Sequence, residues 1–299
     1  MAIGYTGWRW NSKPPVGSTI NRGHPLASGL HRVWLFNLGS SLTDVDLVTN
    51  DIATHSRVSA DTRYSNGQRG LSFQSGATGG SVPGDGFLAT RTLGFTISDV
   101  SVACGFRIHT TNGGLEKTFG QGPGGTLFTC REAITDISPT LAYFESTGLK
   151  GIFSADSTGL AEGAKTTTTL VAGQEYDLVG TYQRDTSIAT FNGTWKTYLN
   201  GTRDGTDNNF GIAGIFSGTF TDSAVRLCNS VQWLDSAHMF VRYIYVWRRV
   251  LEAQEVADLY ADPFAFINPP GVRRPFIYDV PAVVAGAAVE DNSFAFSSL

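Results

Sequence analysis

Two carboxylates in the sequence have a spacing that sugar-cleaving chemistry can use. Glu175 and Asp177 lie two residues apart, so a β-strand would place both side chains on one face. Cleavage of a glycosidic bond needs an acid on one side of the bond and a base or nucleophile on the other. A Glu-x-Asp-x-x-Glu pattern would supply such groups near one sugar, but its third position is Gly180. We therefore predict that Glu175 and Asp177 are solvated charges at the start of a strand.

Nucleophilic catalysis by a serine triad is not supported by the sequence either. The chain has no Gly-x-Ser-x-Gly motif. Its five histidines are His24, His31, His55, His109 and His238. His24 precedes a proline, which favours a capping or packing role, and the others are predicted to be ordinary surface or core histidines. The chain is therefore predicted not to be an enzyme.

Two acidic loops have the oxygen-rich character that Ca²⁺ prefers. Their members are Asp44, Asp46, Asn50 and Asp51 in the first loop, and Asp204, Asp207 and Asn208 in the second. A solvated loop is the favoured interpretation for both. No cofactor is therefore expected, and a Ca²⁺ site is the alternative.

Sugar binding without cleavage uses exposed aromatic rings as stacking platforms beside polar groups. The candidates in this chain are Tyr143, which is close to Glu145, together with Trp195 and Trp233. Trp195 falls in a predicted strand, so a position in the core is the alternative for that residue.

The composition indicates a folded protein with no nucleic-acid or membrane partner. Of 299 residues, 41% are hydrophobic and 16% charged, which permits a sizeable core. The formal net charge is −4, and no basic cluster is strong enough to follow a phosphate backbone. No apolar run approaches the ~20 residues that span a bilayer. The three cysteines, Cys104, Cys130 and Cys228, are too widely spaced for a disulfide framework and are predicted to be buried thiols.

Short strands separated by turns dominate the hydrophobic pattern. From Val100 to Ile108 every second residue is apolar, which is typical of a half-buried strand. Similar runs recur between Leu30 and Trp247, and Gly-rich turns separate them. The pattern predicts an all-β fold in which two antiparallel sheets form a sandwich.

The chain divides into a central domain and two flanking segments. The sandwich is predicted over residues 26–267, with one short helix near residues 252–261 that Pro263 ends. Residues 1–25 and 268–299 lack a strand or helix pattern and are rich in Pro, Gly or Ala. They are predicted to be extended arms.

The order of several short motifs resembles that of laminin-G-like domains, which are jelly rolls of the concanavalin A-like lectin and glucanase type. The motifs are His24 to Leu30 with Trp34 to Asn37, Gly70 to Phe73, Phe95 to Phe106, Leu178 to Tyr182, Tyr198 to Gly201, and Val241 to Pro263. Lys13-Pro14-Pro15 before "GHPL", and "LYADPFAF" before an irregular tail, are similar to virion proteins of tailed bacteriophages. The resemblance implies a two-sheet jelly roll and a place on a virion.

This resemblance implies a structural role. The chain would be a capsid decoration protein, of the cement or head-fibre kind, on the virion surface and assembled in the host cytoplasm. The alternative is a carbohydrate-binding adsorption module on a capsid or tail that recognises host-surface glycans. Relatives carry an Asp-Glu pair in the last strand where this chain has Arg242 and Tyr243, which disfavours a Ca²⁺ site there.

The arms are predicted to make the contacts with other chains. Large apolar side chains on irregular segments gain free energy only when a surface covers them, and aromatic residues are enriched at interface cores. The residues concerned are Tyr5, Trp8, Trp10, Phe276, Ile277, Tyr278, Phe294 and Phe296. The expected partners are the major capsid protein or neighbouring copies of this chain in a multi-copy assembly.

Overall fold

Strand Asp99–Ile108 is built on the alternating pattern that the sequence predicted. Val102, Cys104 and Phe106 lie on one face, between two sheets, because alternate side chains of a strand share a face. Ser101 and Ala103 on the other face are buried as well. The prediction of a half-buried strand was therefore wrong here, because a further layer covers the outer face.

The computed structural model describes residues 13–38, 43–55, 71–73, 87–89, 91–95, 98–108, 117–118, 122–130, 139–145, 149–154, 163–185, 192–205, 208–211, 225–228 and 239–270.

Most of the described residues belong to strands. Those of the N-terminal half are β1 (Thr19–Ile20), β2 (Leu30–Trp34), β3 (Thr43–Val45), β4 (Ile52–His55), β5 (Leu71–Phe73), β6 (Phe87–Ala89), β7 (Asp99–Ile108), β8 (Lys117–Thr118), β9 (Gly122–Thr129) and β10 (Thr140–Glu145). Those of the C-terminal half are β11 (Leu149–Ser154), β12 (Gly163–Lys165), β13 (Glu175–Arg184), β14 (Asn192–Leu199), β15 (Thr202–Arg203), β16 (Asn208–Gly211), β17 (Arg226–Leu227), β18 (Met239–Trp247) and β19 (Ile267–Asn268). The described helical segments are a 3₁₀ turn, Pro25–Ala27, and helix α1, Ala253–Ala261.

The strands form two antiparallel sheets and one small separate pair. The first sheet has the order β12-β11-β10-β9-β17-β6-β4-β3, with β8 beside β9. The second has the order β15-β14-β13-β7-β18-β2, with β16 beside β14 and β5 beside β18. Strands β1 and β19 pair with each other. The predicted all-β, antiparallel jelly-roll sandwich with one short C-terminal helix is thus confirmed for the described residues.

Glycines set how closely the two sheets approach. A Cβ on Gly180 of β13 would lie 2.1 Å from Cγ of Phe153, which belongs to β11 in the opposite sheet. In the reverse sense, a Cβ on Gly151 of β11 would lie 2.7 Å from Leu178 of β13. Each glycine therefore receives a large side chain from the facing sheet. The inter-sheet core depends on this alternation of small and large residues.

An outer layer covers the second sheet on the side away from the first. Val256 and Leu259 of α1 pack there with Phe264, Phe266 and residues of the 3₁₀ turn. Below them lie Tyr245 and Trp247 of β18, with the Tyr245 hydroxyl donating to the Pro263 carbonyl at 3.1 Å. The indole nitrogen of Trp247 donates to the Leu26 carbonyl at 2.7 Å. The central strands β7, β13 and β18 are consequently buried on both faces over most of their length.

The described part of the predicted N-terminal arm packs on its own sandwich. Thr19 and Ile20 of β1 pair with Asn268 and Ile267 of β19. Lys13 is only 7% exposed, and its ammonium nitrogen donates to the Leu35 and Phe36 carbonyls. The boundary predicted at residue 25 is therefore too late, because these contacts join residues 13–25 to the domain. Residues 1–12 and 271–299, with all the aromatic residues named for the arms, lie outside the described residues.

None of the helices in the described segments combines the length and the hydropathy that crossing a membrane requires. All three cysteines are buried free thiols, as predicted.

Candidate functional site

Arg32 lies at the centre of a buried polar cluster under the first acidic loop. Its side chain, on β2, is 3% exposed, and Nη1 lies 3.0 Å from Asp46 Oδ2 and 3.5 Å from Asp51 Oδ2. Nη1 also donates to Thr49 Oγ1 at 2.6 Å, and Nη2 donates to the Thr92 carbonyl. The guanidinium therefore occupies the position between the two carboxylates that a Ca²⁺ ion would need.

The two carboxylates also bind the backbone around them. Asp46 Oδ1 accepts hydrogen bonds from the amides of Val33, at 2.8 Å, and Val48, at 3.0 Å. Asp51 Oδ2 accepts from the Arg91 amide at 3.0 Å. The prediction of a solvated loop was therefore wrong for Asp46 and Asp51, which hold β2, the turn after β3 and the segment around Arg91 together.

Asp44 faces a different environment from its loop neighbours. Its Oδ2 accepts from the Phe36 amide at 3.1 Å, and burial raises the pKa of this carboxyl to about 7. Burial also lowers the pKa of Lys13 well below its usual value. The positive charge of Lys13 acts in the opposite direction on Asp44 and lowers the pKa of that carboxyl. Asp44 is 2% exposed, so the prediction of a solvated loop was wrong for this residue as well. The Ca²⁺ alternative has no support among the described residues of this loop.

The second acidic loop does not form a described metal site either. Asp204 Oδ1 accepts from the Thr167 amide at 2.8 Å and from the Thr167 hydroxyl. Burial alone would raise the pKa of Asp204, but the hydrogen bonds from Thr167 and Thr168 outweigh it and lower the pKa. Asp207 lies outside the described residues. Within the described ranges, no group of three or more His, Cys, Asp and Glu side chains could hold a metal ion.

An open cleft of about 450 Å³ lies directly over the Arg32 cluster. Most of its lining surface comes from apolar atoms, although five of the seven lining residues are polar; they are His31, Arg32, Thr49, Arg91, Thr92, Leu93 and Gly94. The cleft is formed by the start of β2, the turn after β3 and the segment that follows β6. Arg91 is exposed at its rim, whereas Arg32 is buried at its floor.

His31 stands on one wall of this cleft and is held from two sides. Its Nε2 is hydrogen-bonded to the Leu93 carbonyl, so Nε2 carries a proton and Nδ1 is an acceptor when the ring is neutral. Its ring packs edge-on against Phe95, with centroids 4.8 Å apart. The guanidinium carbon of Arg248 lies 4.7 Å from the Phe95 centroid on a cation–π contact. Burial first, and then Arg32 and Arg248, lower the pKa of His31.

Asp177 is the centre of a second buried polar cluster, in the outer layer. Its Oδ1 accepts from the Tyr243 hydroxyl and lies 3.3 Å from Arg242 Nη2. Glu175, two residues earlier, is 40% exposed and lies 3.8 Å from Arg242 Nη1. The prediction of solvated charges therefore holds only for Glu175, because the outer layer covers Asp177. Burial raises the pKa of Asp177 to about 6 in spite of the opposing effects of Arg242 and Tyr243.

The cluster depends on a glycine and on an irregularity in β18. The pairing of β18 with β7 shifts between Val241 and Tyr243, which turns Arg242 onto the face of Asp177. Gly105 of β7 lies under the cluster, and a Cβ there would meet Tyr243 at 2.5 Å and Asp177 at 3.0 Å. Gly180, the third position of the carboxylate pattern, faces the inter-sheet core instead. The three positions therefore do not share a face, and they form no sugar-cleaving site.

The titration of Asp177 leads to a testable pH dependence. Its folded-state pKa of about 6 lies above that of an unfolded Asp, so the folded protein keeps a proton that the unfolded chain loses. The contribution of protonated Asp177 to the free energy of unfolding is fully present at low pH and is lost as the pH rises through about 6. The variant Asp177→Asn lacks this titration. Between about pH 4 and pH 7 its free energy of unfolding should rise by on the order of 2 kcal/mol relative to wild type.

Urea denaturation of both proteins across this pH range measures the difference. Glu175→Gln is the matched control, because its side chain is on the same face and exposed. The free energy of unfolding of Glu175→Gln should stay within ~0.5 kcal/mol of the wild-type value across this pH range. A constant difference between Asp177→Asn and wild type would contradict the assignment of a raised pKa.

The aromatic residues predicted as sugar platforms are not available at the surface. Tyr143 and Trp195 are each 2% exposed and belong to the inter-sheet core. The Tyr143 ring stacks on Phe106 with centroids 5.8 Å apart, and Trp195 packs against Phe153 and Tyr182. The platform prediction was wrong for Tyr143, and for Trp195 the alternative of a core position is the correct one, because strand alternation turns both side chains inward. Trp233 lies outside the described residues.

The sequence did not identify the cleft residues as a group. The sequence predicts His31 to be an ordinary histidine, gives no signal for Arg32 or Arg91, and shows Arg248 only as one of an arginine pair that is too small to be a basic cluster. These residues lie up to 217 positions apart along the chain, and the pairing of β2 with β18 brings Arg248 near His31. The role of His24 was closer to the prediction, because its Nδ1 caps the 3₁₀ turn by accepting from the Leu26 amide at 3.2 Å.

No protein-family model matches the chain, and no curated protein sequence does. Solved structures share its fold. A Trypanosoma rangeli sialidase in complex with a difluoro-KDN has a TM-score of 0.52 at 14% identity, covering 83% of this chain and 36% of that chain. The T. rangeli sialidase in complex with sialic acid has a TM-score of 0.51 at 16% identity, over 82% and 36% of the two chains. The botulinum neurotoxin serotype D binding domain has a TM-score of 0.51 at 13% identity, covering 81% of this chain and 51% of that domain's chain.

At these identities the likeness shows the fold alone. It supports the β-sandwich part of the resemblance found in the sequence. The chain spans 36% of the length of the sialidases that it matches and 51% of the toxin binding domain.

Proposed function

We propose that the chain is a structural protein of a bacteriophage particle. It decorates the capsid surface and is attached to the major capsid protein, or to neighbouring copies, through residues 1–12 and 271–299. The observation that carries this proposal is the pairing of β1 with β19. The chain therefore enters and leaves the sandwich along adjacent strands, and a Cβ on Gly17 would lie 3.6 Å from Pro270, the last described residue.

This arrangement suits attachment through one patch. Two tethers that leave from the same place bind the same neighbourhood, and the second contact benefits from the effective concentration set by the first. The aromatic residues of these segments would be the anchors, as aromatic side chains are at many interface cores. The sandwich between the tethers then forms a folded body outside the contact.

The two motifs that resemble tailed-phage proteins also belong to one structural unit. The His24 ring of "GHPL" lies 6.4 Å from the Phe266 ring of "LYADPFAF". Both motifs pack on Trp247 of β18. The resemblance is therefore carried by the outer layer that closes the domain next to β1 and β19, which favours a shared mode of attachment.

The sandwich is proposed to be non-catalytic. Asp46 and Asp51 are engaged by Arg32, and Asp177 by Arg242 and Tyr243. A hydrolase that cleaves by the two-carboxylate route needs its pair in an open cleft instead.

Deletion of the flanking segments tests the proposal. Variants that begin at Lys13 or end at Pro270 should fold, because the contacts of Lys13 and β19 remain. Their thermal unfolding midpoints should lie within about 4 °C of that of the full chain. In a host lysate that contains particles, the full chain should sediment with the particles and both variants should stay in the supernatant. Equal sedimentation of all three would overturn the attachment proposal.

A carbohydrate-binding adsorption module is the second candidate, and the cleft beside His31 is the observation that favours it. Its 450 Å³ is within the range of small-ligand sites. Two similar structures are a sialidase in complex with sialic acid and a toxin binding domain. A glycan array with the full chain separates the two candidates: saturable binding to a defined glycan supports the module, and no binding removes it.

A further inference from the structure

The cleft over Arg32 presents one exposed cation although the protein as a whole is acidic. Arg32, at its floor, lies between the buried carboxylates of Asp46 and Asp51, which more than balance its charge. Arg248 lies behind His31, on the Phe95 ring, whereas the side chain of Arg91 is exposed on the lining. The chain has a formal net charge of −4, so this exposed arginine is a local feature. A cation that is exposed in a concave site attracts ligands of the opposite sign.

Arg32 and Arg91 have different roles in this site. Arg32 is buried, and its guanidinium contacts Asp46, Asp51, Thr49 and the Thr92 carbonyl. Arg91 is held by its backbone amide, which donates to Asp51 Oδ2, while its side chain is exposed on the lining of the cleft. The Arg32 cluster therefore fixes the backbone of Arg91, and the Arg91 guanidinium can take up a ligand in a bidentate manner.

The lining also restricts the kind of anion. The volume of about 450 Å³ exceeds what one inorganic ion fills. Thr92 and His31 provide a hydroxyl group and a ring nitrogen, whereas the Thr49 hydroxyl is already bonded to Asp46, Arg32 and the Asp51 amide. Such a surface, with much of its area apolar, matches a ligand that has one negative charge, hydroxyl groups and apolar ring faces.

We propose that this cleft binds an acidic sugar of the uronic acid class, with Arg91 contacting the carboxylate and the Thr92 and His31 side chains contacting hydroxyl groups. The inference deepens the second candidate function and rests on it, because it names the class of glycan. A free uronic acid and a uronic acid residue within a polysaccharide share this chemistry.

Isothermal titration of the full chain with sodium D-glucuronate tests the proposal. Methyl β-D-glucoside, which has a similar ring without the charge, should bind at least tenfold more weakly. The variant Arg91→Gln should raise the Kd for glucuronate at least tenfold. Lys196→Gln is the matched control, since it removes one positive charge on β14, which three strands separate from β2. It should change the Kd by less than twofold.

The outcomes distinguish the site from simpler explanations. Equal binding of glucuronate and methyl glucoside would overturn the acidic-sugar inference and leave glycan binding in place. Equal losses in Arg91→Gln and Lys196→Gln, displacement of glucuronate by an equal concentration of sodium sulfate, or no binding of glucuronate would each overturn it too. A triuronide that binds tenfold more tightly than glucuronate supports a polysaccharide source, and equal binding supports the free acid.

Discussion

Replacement of Arg32 by methionine is expected to lower the free energy of unfolding by about 3–5 kcal/mol. Methionine fills much of the same space but leaves Asp46 and Asp51 buried without their cationic partner. The desolvation of two carboxylates is then no longer offset by the guanidinium. The contacts of Thr49 and of the Thr92 carbonyl are lost at the same time.

Urea denaturation of the full chain measures this effect, with Arg91→Met as the matched control. Arg91 lines the same cleft and carries the same charge, but its side chain is exposed. Its replacement should change the free energy of unfolding by less than ~0.5 kcal/mol. Adding Asp46→Asn and Asp51→Asn to Arg32→Met should restore part of the loss. Equal effects of the two arginine replacements would contradict the structural role of Arg32.

Replacement of Gly180 by alanine is the second large effect, with an expected loss of about 3 kcal/mol. The new methyl group would lie 2.1 Å from Cγ of Phe153 and 2.5 Å from its Cβ, so one of the two sheets must shift. Phe153 is fully buried between the sheets and packs on Trp195, with ring centroids 5.1 Å apart. The ring therefore has no free space into which to move.

A double-mutant cycle with Phe153→Ala shows whether this contact is the cause. Alanine removes Cγ and Cδ2, two of the three Phe153 atoms nearest the new methyl group, so the double variant should be more stable than the sum of the two single effects predicts, by at least 1 kcal/mol. Gly23→Ala is the control, because the nearest atom to its Cβ is 3.6 Å away and belongs to Asn21. Additive effects of Gly180→Ala and Phe153→Ala would contradict the proposed packing.

The sandwich could be predicted because the sequence patterns that indicate its strands, turns and helix each lie within a short stretch of the chain. The alternation from Val100 to Ile108, the Asn200-Gly201 turn and the helical pattern before Pro263 each appear within about ten residues. The structure places β7, the turn between β14 and β15, and α1 at these positions. Asn200 and Gly201 have positive φ, as a tight hairpin requires.

The clusters could not be predicted because they depend on contacts between distant segments. Arg32 meets Asp46 only after β2 and β3 are in place, and the Arg91 segment comes from beyond β4. Asp177 is predicted to be solvated because alternation alone cannot show that a helix and a 3₁₀ turn will cover the outer face of a sheet. Alternation also does not state which face of a strand is inside, so the sequence places Tyr143 at the rim and leaves Trp195 between the rim and the core, whereas both residues lie in the core.

The central claim, a structural role on a bacteriophage particle, is tested most directly by counting copies of the chain in purified particles. Quantitative mass spectrometry should find the chain in a fixed ratio to the major capsid protein, and this ratio should persist through repeated density-gradient purification. A ratio that falls towards zero with each purification step, or absence of the chain from the particles, would contradict the proposed role.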